Sequence, residues 1–218
     1  MAILHHLCVG DDVNESAVKL LLQNGANVNK AGVEGMTTLH HLCVREYVNE
    51  SAVKLLLQNG ADVNKAGVKG MTALHYLCVG DDVNESTIKL LLQNGAYVNK
   101  AGVEGMTALH YLCVTDDVNE STIKLFFQNG ADVNKAGVEG MTALHYLCVG
   151  DDVNESAIKL LLQNGADVNK DGVEGWTALH YLCGGDDSTA QVMIHRDPVN
   201  MTEDDESRRH QRCICICC

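Results

Sequence analysis

Two short phrases recur along the chain, each with apolar residues at helical spacing, separated by polar and glycine-bearing stretches. One copy of the first phrase is Ala73-Leu74-His75-Tyr76-Leu77-Cys78, preceded by Thr72, a residue type that caps helices. It predicts a first helix running through Leu77 and Cys78. A polar linker, 79–82, with Gly80 in it, closes that helix. The second phrase has a better-marked start. Asn84 is placed to cap it, Val83 precedes the cap and Ile88 lies four positions inside, the spacing of a hydrophobic staple. Ile88, Leu91 and Leu92 then form an apolar stripe of helical period. Gly95 follows Gln93-Asn94, where a left-handed helix terminator is expected. Residues 96–105 read as an extended, glycine-punctuated turn into the next copy.

The copies keep a fixed period. Gly35, Gly70, Gly105, Gly140 and Gly175 are each 35 residues apart, and each opens Gly-Met-Thr-Ala-Leu-His-Tyr-Leu-Cys. Thr38 and His41 vary in the first of these copies and Trp176 in the last. A pair of helices this short cannot bury its apolar stripe alone, and burying one Leu is worth about 1.5–3 kcal/mol. Stacking like units side by side buries the stripe against the neighbour, which predicts a one-dimensional solenoid. The glycine-rich turn between units, in place of a third helix, argues against other helical repeats. The expected fold class is therefore an all-α repeat of helix–turn–helix units joined by β-hairpin-like turns. The array is expected to span 1–184: a partial unit at 1–34, full units at 35–69, 70–104, 105–139 and 140–174, and a degenerate one from 175. Ser188-Thr189-Ala190-Gln191 resembles a capping box opening a short helix through Val192, Met193 and Ile194, stopped by Pro198. Residues 185–200 are thus expected to be a C-terminal capping helix, and 201–218 a disordered, Cys-rich tail.

Composition narrows the function. Of 218 residues 46% are hydrophobic, 4% are aromatic and one is proline, which suits helices better than a β-sandwich. The 16 Lys and Arg against 29 Asp and Glu give a net charge of -13, the opposite of a nucleic-acid footprint. No apolar run approaches the ~18 residues of a membrane span. The N-terminal residues lack the pattern of a secretory signal. A reducing compartment is therefore expected, the cytoplasm or the nucleus, and the ten cysteines are not read as a disulfide framework.

Thr-Ala-Leu-His at 72–75, 107–110, 142–145 and 177–180 resembles the Thr-Pro-Leu-His signature of the ankyrin repeat, with Ala in the proline place. Asn-Gly-Ala-Asp-Val-Asn at 59–64, 129–134 and 164–169 is similar to that family's second-helix exit. There are two departures. The unit is longer than the family's usual ~33 residues, the excess lying between the helices around Gly-Asp-Asp-Val-Asn-Glu. The Leu-Ala-Ala that usually follows the signature His is Tyr-Leu-Cys here. The resemblance implies an ankyrin-type solenoid that binds proteins through the hairpin tips and the inner face of the first helices. Those positions are Val68, Lys69 and Met71; Val103, Glu104 and Met106; Val138, Glu139 and Met141; and Val173, Glu174 and Trp176. Val79, Val114 and Val149 would continue the face. If exposed, this Val/Met stripe is an apolar groove with Trp176 as its anchor. Asn64, Asn134 and Asn169 also resemble sites of asparagine hydroxylation, although a structural role in the turn explains them equally well.

Other residue patterns carry less. His and Cys recur three apart, from His5/Cys8 to His180/Cys183, on one helical face. The resemblance implies that the signature His is structural and that the Cys position packs inside. Neighbouring helices ~8–10 Å apart would separate two-ligand half-sites too far for a shared zinc. A nucleophile also needs a unique base and orienting group, which a pair present in every unit lacks. Asp81-Asp82, Asp116-Asp117 and Asp151-Asp152 predict a solvated acidic edge, or a surface that steers a basic partner. The terminal Cys213, Cys215, Cys217 and Cys218 only loosely resemble a lipidation signal. The expected protein is a monomeric, non-catalytic scaffold for protein partners, with no cofactor and no metal. The alternatives are a targeting or adaptor module of a larger effector, such as a ubiquitin-ligase substrate receptor or a host-directed factor, and a scaffold tethered to membranes through its C-terminal cysteines.

Overall fold

A computed structural model describes residues 3–9, 13–45, 47–79, 83–115, 118–149 and 153–184. The expected capping helix and tail, the linker aspartate pairs and the terminal cysteines lie outside the described residues. Eleven α-helices follow one another in the described residues, and no strand is found among them. They are α1 (Ile3–Val9), α2 (Glu15–Gln23), α3 (Thr38–Cys43), α4 (Glu50–Gln58), α5 (Ala73–Tyr76), α6 (Glu85–Gln93), α7 (Ala108–Val114), α8 (Glu120–Gln128), α9 (Ala143–Val149), α10 (Glu155–Gln163) and α11 (Ala178–Gly184). Odd-numbered helices pack on the next odd helix and even-numbered ones on the next even helix, giving two layers along one stack. This is an all-helical repeat solenoid, as the sequence predicts.

Each second helix starts and stops by the same chemistry. Asn14, Asn49, Asn84, Asn119 and Asn154 cap α2, α4, α6, α8 and α10, each side chain accepting a backbone N–H from the third residue on, as Asn84 does from Thr87 at 2.9 Å. At the other end of α6, Gly95 donates to the Leu92 carbonyl and Ala96 to the Leu91 carbonyl. With Gly95 at φ 83 this is a Schellman motif, which satisfies carbonyls that the helix leaves open.

One core runs the length of the stack. Leu42, Cys43, Val53 and Leu56 in one unit are continued by Leu77, Cys78, Ile88 and Leu91 in the next, all at most 4% exposed. In α8 the chain places Phe126 where other units have Leu, and it too is fully buried. Within the described second helices two interior positions break the apolar pattern. Thr87 and Thr122 occupy the place of the buried Ala52 and Ala157, and their hydroxyl oxygens have no hydrogen-bond partner. Along the outer layer, the Ser86 hydroxyl donates to Glu50 and the Ser121 hydroxyl to Glu85, joining the starts of adjacent second helices.

Candidate binding surface

The turns that join units converge on one conformation. Glu34, Lys69, Glu104, Glu139 and Glu174 all have positive φ, between 50 and 61, and the glycine after each is also left-handed. Two consecutive left-handed residues define a type I′ turn, whose twist suits a hairpin. In the turn at Lys69-Gly70 the Met71 N–H donates to the Val68 carbonyl at 3.0 Å, and Gly67 N–H donates to the Met71 carbonyl at 2.8 Å. These are the expected hairpin-like joints, without strands. Left-handed backbone turns each tip side chain outward, and all five are exposed.

Beneath the tips lies a polar relay. At the start of α5 the N–H of the capping Thr72 donates to Nδ1 of His75 at 3.0 Å, and the Thr72 hydroxyl lies 2.8 Å from the same nitrogen. Nε2 of His75 lies 3.0 Å from the Lys100 carbonyl, in the segment leading to the next hairpin. A carbonyl only accepts, so the proton sits on Nε2 and Nδ1 is the acceptor. His40, His110 and His145 repeat the arrangement with Lys65, Lys135 and Lys170. Burial lowers the pKa of all four, to about 4 for His75 and His110. The ring edge or face then meets a tyrosine of the following unit. His40–Tyr76, His75–Tyr111, His110–Tyr146 and His145–Tyr181 are T-shaped pairs with centroids 5.7–6.0 Å apart. Gly102 and Gly137 lie under the imidazoles, where a Cβ would come within 3.4 Å of Nε2.

The residues expected to form an apolar groove divide by depth. Lys69, Glu104, Glu139 and Glu174 are exposed, and Val68, Val138, Val173 and Trp176 are half-buried. Met71, Met106 and Met141 are buried, at 2%, 7% and 2% exposure. This corrects the picture of an open Val/Met stripe. The methionines pack under the next hairpin, as Met71 Cγ does 3.4 Å from the Cβ position of Gly102, so they support the surface from below. For Val103 only the backbone is described. Val79, Val114 and Val149 are partly buried against the core. Trp176, in the methionine position of the last described unit, lies 5.4 Å from the Tyr181 ring.

Other features of this region were not legible from spacing. Asn64 reaches the following unit with both ends of its amide: Nδ2 donates to the Gly95 carbonyl at 2.8 Å and Oδ1 accepts the Tyr97 N–H at 2.8 Å. Asn29, Asn99 and Asn134 make the same pair of bonds. The Asn of this turn is thus a clamp between units. Tyr47 and Tyr97, 81% and 65% exposed, stand where sister units carry Asp82, Asp117 and Asp152, or Asp62, Asp132 and Asp167. Departure from an otherwise uniform repeat was the signal that could have singled them out.

The four inner His/Cys pairs, from His40/Cys43 to His145/Cys148, are structural. In His40, His75, His110 and His145 both ring nitrogens are engaged, which leaves no base for a neighbouring thiol. Burial pushes the Cys8 and Cys148 thiols up to about 11 and raises those of Cys43, Cys78 and Cys113 further, so the thiolate is suppressed. Cys183 in α11 is exposed. No described helix is long and apolar enough to cross a membrane. A family model described as ankyrin repeats (3 copies) matches residues 1–67, 41–136 and 113–205. A search of curated proteins found no match.

Proposed function

Because the chain belongs to the ankyrin-repeat family, whose repeats are protein–protein interaction modules, we propose that it is a non-catalytic scaffold binding partner proteins across the face made by its hairpin tips and first helices. The observation that carries this is the row of exposed tips, Lys69, Glu104, Glu139 and Glu174, each fixed in the same left-handed turn. Side chains held this way lose little freedom when a partner docks, so less of the contact energy is spent on ordering. Val68, Val138, Val173 and Trp176 supply half-buried apolar surface between the charged tips, with Trp176 as the aromatic anchor. Met71, Met106 and Met141 hold the hairpins from beneath, and Val103 completes the register. Three of these four tips are acidic, which suits a basic and extended partner approached by long-range attraction. The protein acts as a monomer, in the cytoplasm or nucleus, without cofactor or metal.

The test compares three proteins in capture from cell extract. They are the wild type, the tip variant Glu104→Lys/Glu139→Lys/Glu174→Lys, and a control carrying Lys54→Glu/Lys89→Glu on exposed positions of α4 and α6. Partners lost by the tip variant and kept by the control support the surface. The same set of partners on all three proteins would remove it.

A further inference from the structure

The last described unit is half a unit. Helices α1, α3, α7 and α9 pack against the second helix of their own unit, whereas α11 has no such partner among the described residues. The consequence is an apolar end face. Leu179 is 65% exposed where its counterpart Leu74 is 1%, Leu182 is 43% where Leu77 is 4%, and Val168 is 49% where Val98 is 8%. Leu162 and Cys183 join this face. Contiguous apolar surface of this kind marks a contact surface.

We propose that residues 189–195 of the same chain seat on this face as the second helix of the sixth unit and close the array. The register of the sequence names the occupant. Gly185-Asp186-Asp187 repeats Gly150-Asp151-Asp152, so the connection keeps the length used in other units. Thr189 then falls at the capping position of Asn154, and a hydroxyl serves that role as an amide does. Val192 falls at the fully buried Ala157. Met193 falls at Ile158, whose counterparts Ile88 and Ile123 are fully buried. Those two side chains are apolar at positions that are fully buried in the units at 35–69, 70–104 and 105–139. Beyond them the sequence departs from the repeat in a direction that ends the stack. Arg196 falls at Leu161, a position buried even where no second helix follows, so the seated helix ends before it; Asp197 falls at Leu162, whose counterpart Leu92 is buried where a further unit follows, and Pro198 comes next. A unit finished this way buries Leu179 and Leu182 yet offers no apolar stripe to a further unit. A second copy of the chain is the competing occupant, since its first unit is built like the one that would follow.

Cys183 reports the outcome, because its thiol lies on the face in question. In the full chain with Cys213, Cys215, Cys217 and Cys218 changed to Ser, alkylation of Cys183 by iodoacetamide is followed by mass spectrometry. The expected result is protection of about tenfold or more relative to an unfolded peptide, lost in Val192→Asp/Met193→Asp while helicity is unchanged. Equal rates in the two proteins would overturn the assignment. So would protection that appears only as the protein dimerises, which would hand the face to a second copy. Independently of any variant, amide exchange at 192–195 in the unmodified chain is expected to be about tenfold or more slower than for an unfolded chain. Exchange at the unfolded rate would refute the proposal.

Discussion

Nε2 of His75 sits 3.0 Å from the carbonyl oxygen of Lys100, while its Nδ1 accepts the N–H of Thr72. One imidazole therefore ties the start of a helix to the segment that enters the next unit. It can do so only when neutral, because a proton on Nδ1 would point at the Thr72 N–H. Burial acts in the same direction and brings the pKa of His75 and His110 down from 6.5 to about 4.

Stability should therefore fall on acidification. The folded-state pKa lies below the unfolded one, so the contribution is complete above pH 6.5 and is lost as pH drops through about 4. Converted at 1.36 kcal/mol per pKa unit, His75 and His110 contribute at most roughly 3 kcal/mol each. Urea midpoints measured at pH 7.5, 5.5 and 4.5 should decline steadily. Midpoints that stay level over that range would mean the rings are not held neutral.

Glu104 occupies left-handed backbone at φ 54 and ψ 23. A side chain with a Cβ pays about 1 kcal/mol there, and Asn tolerates the region better than Glu. Glu104→Asn is expected to raise the melting temperature by about 2–4 °C, and Glu104→Val to lower it. An unchanged or lower melting point for the Asn variant would contradict the observed turn.

The hydroxyls of Thr87 and Thr122 are buried without a partner, at positions where other units carry Ala. Leaving a buried hydroxyl unsatisfied costs about 1–3 kcal/mol. Thr87→Ala and Thr122→Ala should each stabilise the protein by about 1 kcal/mol in chemical denaturation. Ala52→Thr should cost a similar amount. Destabilisation by both Thr→Ala changes would show that the hydroxyls are satisfied.

Asn99 joins two backbone groups of the next unit, the Gly130 carbonyl and the Asp132 N–H. Asn99→Ala is expected to cost about 1–3 kcal/mol and to accelerate exchange of the Asp132 amide ahead of the rest of the molecule. Uniform acceleration across all units would argue that the clamp is not local.

Most of the architecture could be read from the residues. The 35-residue period, the caps at Thr72 and Asn84 and the terminator at Gly95 all fall where the sequence places them, because each depends on chemistry within a few residues. The methionine stripe was not legible. Whether Met71 is open or covered depends on how closely the next hairpin approaches, a distance fixed by Gly102 and by stacking between units. The His75–Tyr111 pair likewise joins residues 36 positions apart in different units, beyond the reach of local periodicity. The left-handed glutamates escaped for a different reason. Val-Glu-Gly marks a turn, but does not say which of its residues before the glycine bends the unusual way.

The clamps at Asn29, Asn64, Asn99 and Asn134 are interchangeable, each handing the same two bonds to whatever copy comes next. Length is then a free variable of this design. Inserting or deleting 35 residues leaves every surviving joint chemically as it was, so unequal recombination can lengthen or shorten the rod in one step and still deliver a chain that folds.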